Sequence, residues 1–325
     1  MKKKVVVIFT GGTISMKIDP EIHAAIPALN SDEIIAMVSN IENVAEIESI
    51  NFANIPSPHL TTQHMMSIAD TVRENILKED VTGIVITHGT DTLEETAYLL
   101  DLLIQSEKPI VVVGAMRNSS ELGYDGSSNL SAAICTAISP KAKNKGVLVV
   151  MNNEVNAASE VTKTNTLSLD TFKSPEFGPL GIVDNDEVIF YRDIAANRII
   201  DTNTIEEKVA LIKTATGIGL DVLDFYIDSG YKGIVIEALG RGNIPPQLVP
   251  GVKRAIMNNI PVVMVSRCYT GRVLYTYGYE GGGKHLKDLG VIFGGNLPGQ
   301  KARIKLMLSL GYTKDIEKIR KIFED

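Results

Sequence analysis

The sequence contains no tryptophan and only two cysteines among 325 residues. Cys135 and Cys268 lie far apart, each in or beside an apolar stretch, so neither a disulfide framework nor a cysteine-based metal site is indicated. No stretch reaches the ~20 consecutive apolar residues that a membrane-spanning helix needs. These absences are typical of proteins from a reducing compartment, and we expect a soluble cytoplasmic protein without membrane association.

An excess of positive charge is also missing. The chain has 32 Lys and Arg against 39 Asp and Glu, a net charge of −7, and its one basic run is Lys2–Lys4. Such a chain is a poor candidate for a dedicated nucleic-acid-binding protein. The basic start resembles that of a signal peptide, but the apolar run that follows, residues 5–9, is shorter than the ~7–15 residues of a signal core.

What is present is the composition of an ordinary globular protein, with 44% hydrophobic and 22% charged residues. A chain of this length exceeds one comfortable hydrophobic core, which predicts two domains. Short Val/Ile-rich runs alternate with amphipathic stretches, and near-continuous apolar runs indicate parallel strands covered on both faces. We therefore predict an α/β protein, with a larger N-terminal domain built on a doubly wound parallel sheet and a smaller C-terminal α/β domain.

The boundaries follow from where this alternation stops and resumes. The first half predicts strands over residues 4–9, 46–53, 83–87, 109–114 and 146–151, and helices over 31–40, 62–78 and 92–104. From 155 to 203 the pattern breaks into turns with one clear strand at 188–191, which indicates a β-hairpin and a linker. Strands then return at 209–214, 233–238 and 260–266, with helices at 219–229 and 246–258. The predicted domains are residues 1–185 and 209–325, joined by a linker over 186–208.

Small and hydroxylated residues follow three of the predicted N-terminal strands, in segments 10–15, 87–92 and 114–117. Ligands of open parallel sheets bind beyond the carboxyl ends of the strands, so these segments are the candidate site. Small residues let backbone N–H groups approach a ligand closely, and threonine hydroxyls can attack a carbonyl carbon. This combination favours covalent acyl chemistry over phosphate binding. In the second segment, Asp91 is also a candidate helix N-cap, with Glu94 completing a capping box.

Other site classes find no support in the sequence. Gly11-Gly12-Thr13 is neither a dinucleotide fingerprint nor a P-loop, and no Gly-x-Ser-x-Gly elbow follows a strand. The five histidines show no metal-binding spacing on a helix. Neither a metal nor a cofactor is therefore expected.

Two segments, TGGTI at residues 10–14 and HGTDTLEETA at 88–97, resemble the two signature segments of the bacterial-type L-asparaginases. The resemblance covers essentially the whole chain and is closest to the cytoplasmic, type I-like members. It continues through residues 114–117, 125–129, 146–151, 161–166 and 297–303. It implies an amidohydrolase without metal or cofactor that converts L-asparagine to L-aspartate and ammonia through a threonine acyl-enzyme.

The resemblance also implies the catalytic residues. Thr13 would be the primary nucleophile, and Thr90, Asp91 and Lys163 a second polar group facing the substrate amide. A threonine hydroxyl needs a neighbouring base to become a good nucleophile. Lys163 would serve as that base only if it lost its proton, and the adjacent Asp91 opposes this by favouring the charged form. The other role open to Lys163 is to orient Thr90 and Asp91. Backbone N–H groups near Gly12 and Thr90 would stabilise the oxyanion.

Substrate binding on the same pattern would use Ser57 for the α-carboxylate and Asp91 for the α-ammonium group. A neighbouring subunit would complete each site, with Asn243 and Glu280 as candidates, in a homotetramer built as a dimer of dimers or in a homodimer. The complete set implied for binding L-asparagine or L-aspartate is Gly12, Ser57, Thr90, Asp91, Ala115, Asn243 and Glu280. The Asn/Gln preference stays open, because one methylene in a pocket is worth only ~1–3 kcal/mol.

The chain departs from the family pattern at two places. The family usually carries a tyrosine in the loop after the first threonine, but residues 16–30 contain none, so the group that activates Thr13 stays open. Pro58 follows Ser57 where secreted relatives often have glutamine.

Two other functions remain alternatives. One is the glutaminase-like component of a tRNA-dependent amidotransferase, disfavoured because its members usually carry an additional N-terminal domain. The other is a non-catalytic amino-acid sensor on the same scaffold.

Overall fold

The computed structural model describes residues 2–39, 41–194 and 199–324. The chain divides into two compact units, Met1–Ile199 and Ile200–Asp325. The predicted linker, residues 186–208, spans this division, and its residues 195–198 lie outside the described part of the chain. No helix of the described residues is long and apolar enough to cross a membrane.

The N-terminal unit alternates strands and helices in its first half and contains short strands in its second. The strands, in chain order, are β1 (Lys4–Gly11), β2 (Met16–Asp19), β3 (Ala24–Pro27), β4 (Glu46–Ile55), β5 (Val81–Thr87), β6 (Ile110–Val113), β7 (Val147–Met151), β8 (Glu154–Ala157), β9 (Thr162–Lys163), β10 (Phe172–Lys173), β11 (Gly181–Asp184) and β12 (Glu187–Phe190). The helices are α1 (Ser31–Ala36), α2 (Ile41–Val44), α3 (Thr62–Ile76), α4 (Leu93–Leu103) and α5 (Gly126–Ile138).

Eight strands form the main sheet in the order β12-β11-β8-β7-β6-β5-β1-β4. The strands from β7 to β4 are parallel, as predicted, and Val5–Ile8 at the centre of β1 are fully buried because both faces of the sheet are covered. The prediction of a purely parallel sheet is incomplete, however. Strands β8, β11 and β12 extend it in antiparallel fashion. Strand β12 corresponds to the strand predicted over 188–191, whereas β8 and β11, of four residues each, were not predicted.

The sheet brings the ends of β1 and β5 into direct contact. Gly12 has φ +83°, a conformation that glycine adopts at little steric cost. A Cβ atom on Gly12 would lie 2.3 Å from Cα of Gly89, so no side chain fits between the two segments. The loop after β1, which carries Thr13, is therefore held against the loop after β5, which carries Thr90.

The helices predicted over 62–78, 92–104, 219–229 and 246–258 agree with the structure to within a few residues. The segments of α2 and α5 and the helices over 283–289, 299–312 and 316–324 were not predicted. Asn30 caps α1 reciprocally with Glu33, and this helix ends at Ala36 rather than continuing to the predicted residue 40, which lies outside the described part of the chain. Helix α5 was not predicted, because its sequence begins with glycine and two serines and then consists largely of small side chains.

The C-terminal unit is a smaller α/β fold, as predicted. Its strands, β13 (Val209–Lys213), β14 (Gly233–Ala238), β15 (Val262–Ser266) and β16 (Ile292–Phe293), form one parallel sheet in chain order. Its helices are α6 (Asp221–Asp228), α7 (Val249–Met257), α8 (Gly283–Leu289), α9 (Gly299–Tyr312) and α10 (Ile316–Glu324). The inner faces of the strands pack with α6 and α7 in a core that includes Ile236, Leu223 and Val252.

Candidate active site

A pocket of about 220 Å³ lies in the N-terminal unit, beside the loops that follow β1 and β5. Six of the predicted site residues line it: Gly12, Thr13, Ser57, Thr90, Asp91 and Lys163. The remaining lining residues are Met16, Pro56, Pro58, Gly89, Met116 and Thr166. The fold therefore brings together residues as far apart in the sequence as Gly12 and Thr166.

Thr13 is the first residue of a 3-10 helix, Thr13–Ser15, that follows β1. The turn is held from behind by Ser15, whose N–H and hydroxyl both approach the Gly12 carbonyl at 3.0 and 2.9 Å. The hydroxyl of Ser15 also lies 2.7 Å from Oδ1 of Asn54 on β4. The threonine is thus presented to the pocket on a short, braced turn.

Lys163 connects the other two catalytic candidates. Its Nζ donates to Oγ1 of Thr90 at 3.0 Å and to Oδ1 of Asp91 at 2.7 Å. The lysine comes from β9, which pairs with β10 to form a two-stranded ribbon. Because the Thr90 oxygen accepts from the ammonium group, the hydroxyl hydrogen of Thr90 remains available to a molecule in the pocket. The geometry fits the orienting role of Lys163 named above.

The predicted capping box at α4 is wrong. The residue that caps the helix is Thr92, no side chain makes a capping hydrogen bond there, and Asp91 lies outside the helix. The Asp91 side chain, 61% exposed, pairs with Lys163 instead. Asp91 precedes the residue at the cap position, and its carboxylate makes its charge-assisted bond with the Lys163 ammonium group.

Ser57 lies at the start of the 3-10 helix Ser57–His59 and is almost fully buried. Its hydroxyl oxygen accepts a hydrogen bond from the Asp91 N–H at 3.2 Å, and its carbonyl accepts one from Thr92 Oγ1 at 3.1 Å. These bonds connect it to the loop after β5. Its own hydroxyl hydrogen can still be donated to a pocket ligand.

The loop after β6 contributes Met116 to the pocket lining, whereas the predicted Ala115 is fully buried and is not among the lining residues. The Asp125 carboxylate fixes this loop by accepting from the N–H groups of Met116 and Arg117 and from the Asn129 amide. Residues 125–129 were among the matched motifs, but their supporting role was not inferred.

Two predicted binding residues, Asn243 and Glu280, belong to the C-terminal unit. Oδ1 of Asn243 accepts from the Gly283 N–H at 3.3 Å, and its backbone forms an isolated bridge with Leu239. Glu280 is exposed in the loop before α8. Their contribution to the site of a neighbouring subunit stays a prediction.

Tyr124 supports the turn of Thr13, although sequence analysis did not single it out. Its hydroxyl donates to the Ile14 carbonyl at 2.8 Å, and its ring lies where a side chain on Gly126 would be. Burial, with a further contribution from Asp125, raises the pKa of Tyr124, so the hydroxyl stays a donor at neutral pH. This tyrosine is remote in sequence from residues 16–30, so local pattern could not find it.

The functional groups that the pocket offers to a ligand are therefore two threonine hydroxyls, an ammonium–carboxylate pair and backbone N–H groups. Among residues 2–39, 41–194 and 199–324, no group of three or more His, Cys, Asp or Glu side chains is arranged to hold a metal ion. Such a pocket is equipped to bind a small zwitterion and to transfer an acyl group to a hydroxyl.

Comparison with known proteins gives the same assignment over both units. Residues 4–196 match the family described as "Asparaginase, N-terminal", and residues 208–323 match "Glutaminase/Asparaginase C-terminal domain". The chain is 36% identical to a probable periplasmic L-asparaginase of Haemophilus influenzae, over 99% of this chain and 92% of that protein. It is also 36% identical to one component of the glutamyl-tRNA(Gln) amidotransferase of Pyrococcus abyssi, over 98% of this chain and 74% of the relative.

The crystal structure of a probable cytoplasmic L-asparaginase from Campylobacter jejuni superposes with a TM-score of 0.90 at 34% sequence identity. The superposition covers 100% of both chains. Family matches over both units and full-length relatives above 30% identity agree with the pocket described above. The chain therefore belongs to the asparaginase family of amide-hydrolysing enzymes.

Proposed function

We propose that this protein is an L-asparaginase, which hydrolyses L-asparagine to L-aspartate and ammonia through an acyl-enzyme on Thr13. The observation that carries this proposal is that Thr13, Thr90, Asp91 and Lys163 line one small pocket. Within it, Lys163 bonds to both Thr90 and Asp91. Two hydroxyls on facing loops suit an amide carbon, which needs a nucleophile on one side and a proton donor for its leaving nitrogen.

In the first half of the reaction, Thr13 Oγ1 attacks the side-chain amide carbon, and the proton that it loses is the one that ends on the departing amide nitrogen. The tetrahedral oxyanion is stabilised by backbone N–H groups of the two loops. The C–N bond then breaks, and the departing nitrogen receives a proton through the Thr90 hydroxyl and leaves as ammonia. Lys163 orients this hydroxyl by donating to its oxygen.

In the second half, water attacks the ester carbon of the acyl-enzyme. The C–O bond to Thr13 breaks, one water hydrogen returns to the threonine oxygen, and the water oxygen stays in the new carboxyl group of aspartate. For recognition of the substrate, the Asp91 carboxylate suits the α-ammonium group, and the free hydroxyl hydrogen of Ser57 suits the α-carboxylate.

The assembly and location are part of the same proposal. We assign the protein to the cytoplasm, since the C. jejuni relative is described as probably cytoplasmic and both cysteines are free, although the H. influenzae relative is described as periplasmic. We also assign it a homo-oligomeric state, a dimer or a tetramer built from dimers, in which Asn243 and Glu280 of one subunit complete the site of another.

The test is release of ammonia from L-asparagine by the purified protein and by three variants. Thr13→Ala and Thr90→Val should each lower kcat by ~10³-fold or more, because each removes a group that acts in the transition state. Thr82→Val, which makes the same substitution within β5 and away from the pocket lining, should keep wild-type activity. Acid quenching during turnover should leave an aspartyl adduct on the peptide that contains Thr13.

Full activity of Thr13→Ala would contradict the assigned nucleophile. A wild-type protein that binds L-aspartate tightly but releases no ammonia would contradict the enzymatic proposal and favour a sensor.

A second candidate, the glutaminase-like component of an amidotransferase, is favoured by the P. abyssi relative. Its test is separate. Purification from the native cell should yield the protein without a stoichiometric partner, and free L-asparagine should be turned over. If the protein instead co-purified with a second type of chain and did not hydrolyse free L-asparagine, the amidotransferase proposal would replace the first one.

A further inference from the structure

His88 lies between β5 and the pocket and has no role in the reaction described so far. Its side chain is fully buried, and it does not line the pocket. Its Nδ1 atom lies 2.8 Å from the Gly89 carbonyl oxygen, and its Nε2 atom lies 2.8 Å from Oγ1 of Thr96 on α4. Both ring nitrogens therefore have partners inside the protein.

These partners define the tautomer of the ring. A carbonyl oxygen can only accept, so Nδ1 must carry the hydrogen that is donated to Gly89. Burial lowers the pKa of His88 to about 4, against a smaller opposite effect of the Gly89 bond, so the ring is neutral at physiological pH. In a neutral ring Nε2 is then the acceptor, and the Thr96 hydroxyl is its donor.

The bond to Gly89 also determines where the next N–H points. All peptide bonds of the described chain are trans, so the carbonyl of Gly89 and the N–H of Thr90 point in opposite directions within their shared plane. With the carbonyl turned towards the buried imidazole, the N–H of Thr90 is turned away from it. This N–H makes no hydrogen bond with any other described residue, while Gly89 and Thr90 both line the pocket.

Because residue 89 is a glycine, the hydrogen bond from His88 matters for the orientation of this peptide. Ser57 and Gly12 pack so closely around Gly89 that a Cβ atom would lie 2.7 Å from the Cβ of Ser57. The position therefore requires a residue without a side chain, and glycine has the greatest backbone freedom of all residues. A hydrogen bond to the carbonyl is the direct way to hold this peptide plane in one orientation.

We propose that His88 is a positioning residue that holds the Gly89–Thr90 peptide so that the Thr90 N–H faces the reacting carbonyl as an oxyanion donor. Thr96 supports it by fixing the tautomer. The inference rests on the proposed amidohydrolase function and adds a specific residue to it. An oxyanion donor acts mainly in the transition state, so loss of its orientation lowers kcat more than it raises KM.

Two substitutions separate the hydrogen bond from the packing of the ring. His88→Asn keeps a donor nitrogen at the position of Nδ1, whereas His88→Leu keeps the bulk without a donor. We expect His88→Asn to retain kcat within about 3-fold and His88→Leu to lose about 30- to 100-fold, both with KM within about 3-fold. His59→Leu, at an exposed histidine, is the control for histidine loss and should match the wild type.

The proposal would be overturned if His88→Leu kept wild-type kcat, or if the asparagine and leucine variants lost kcat equally. An inactive wild-type protein would instead refute the proposed function, so the two failures are distinguishable.

Nitrogen-15 NMR of histidine-labelled wild-type protein gives a readout that needs neither turnover nor a folded His88 variant. We expect His88 as the neutral Nδ1–H tautomer at pH 7, and the Nε2 signal alone to shift in Thr96→Val. Observation of the Nε2–H tautomer would overturn the inference, because Nδ1 could then not donate to Gly89.

Discussion

Lys163 shows how one side chain can order a candidate active-site pocket without contributing much to stability. It donates to a buried hydroxyl and to a carboxylate that is 61% exposed. Ion pairs as exposed as this one contribute only about 0–1 kcal/mol, because solvent screens the charges. Substitution of Lys163 should therefore lower the rate of the reaction and hardly change the stability of the folded protein.

We expect Lys163→Met to lower kcat by about 100-fold or more, since Thr90 loses the donor that orients its hydroxyl. The melting temperature should change by no more than a few degrees. Lys163→Arg should recover part of the lost activity, because a guanidinium can donate to both partners. Steady-state kinetics and a thermal melt check this prediction, which fails if Lys163→Met keeps its activity or if the loss follows unfolding.

His88 should make the stability of the protein sensitive to pH above the range where carboxylates titrate. Its pKa in the folded protein is lowered from 6.5 to about 4 by burial. The unfolded chain therefore binds the proton more tightly, and stability falls as pH drops from about 6.5 towards 4. From pH 7.5 to 5 this corresponds to a loss of about 2 kcal/mol.

Urea unfolding at these two pH values should show this loss in the wild type and not in His88→Asn, which has no titrating ring. Because all other groups are shared, the difference between the two proteins isolates the histidine. Equal losses in both proteins would contradict the prediction.

At the scale of residues, the predicted parallel strands placed the segments that contain Thr13 and Thr90 at one edge of the sheet, and the resemblance to a known family singled out the two threonines. It misassigned Asp91 as a cap because the competing partner, Lys163, is 72 positions away. Tyr124 was missed for the same reason, since its bond to Ile14 spans 110 positions. Local pattern indicates where a residue lies along the chain, but not which distant group will compete for it.

The loops after β1 and β5 pack directly against each other, because Gly12 and Gly89 meet there without side chains. Gly12→Ala should be more destabilising than an ordinary glycine substitution. The new Cβ would lie 2.3 Å from the Gly89 backbone, and φ is +83°. We expect a loss of at least ~3 kcal/mol or insoluble protein.

Gly178→Ala is the matched control, since Gly178 has φ +73° but nothing within 4 Å of the added methyl group. It should cost only about 1 kcal/mol, which represents the strained backbone alone. Chemical denaturation of both variants separates the steric effect from the conformational one. Similar losses in the two variants would argue against the close contact.

The hairpin of β2 and β3 is fastened to the loop between β6 and α5. Ser119 donates to the Met16 carbonyl through both its N–H and its hydroxyl, and Ser120 Oγ accepts from the Ile18 N–H. Tyr124 adds its bond to Ile14, next to Thr13. This loop thus supports the segment in which family members usually have a tyrosine and this chain has none.

Tyr124→Phe should loosen that support while keeping the ring in place. Loss of one hydrogen bond of about 0.5–1.5 kcal/mol predicts a 2- to 12-fold faster amide exchange in β2. The control is Tyr312→Phe, at an exposed tyrosine of the C-terminal unit, which should leave amide exchange in β2 unchanged. Hydrogen-exchange mass spectrometry measures both, and unchanged exchange in Tyr124→Phe would show that the bond does not support the hairpin.

At the scale of elements, the strongly apolar strands were predicted nearly to the residue, with β14 matched at both ends. Several elements were not predicted, and two kinds among them share a cause. Helix α5 is built largely from small residues, and β8 and β11 have only four residues each. Both kinds are stabilised chiefly by packing on elements that are already formed, which no local window contains.

The molecule as a whole has two units, each with its own sheet and core, and both match the same family. If Asn243 of one subunit completes the site of another, as we propose, two inactive variants should complement each other. A mixture of Thr13→Ala and Asn243→Ala subunits, refolded together, forms hybrids in which one type of site has both residues intact.

For random pairing in a dimer, about a quarter of the wild-type activity should return in this mixture. The control is a mixture of Thr13→Ala and Thr90→Val, which should stay inactive because both residues belong to the pocket of one unit. Ammonia release before and after co-refolding measures the effect. Equal results for the two mixtures would refute the shared site.

The pocket draws on the loops after β1 and β5 and on the ribbon strand β9, so its parts leave the ribosome at widely separated times. A nascent chain already displays the threonine of its first loop while the lysine that orients the second hydroxyl is still to be translated. On the proposed mechanism, catalytic competence is therefore gained late in biosynthesis, and a chain truncated by interrupted translation carries the proposed nucleophile without the lysine that orients Thr90.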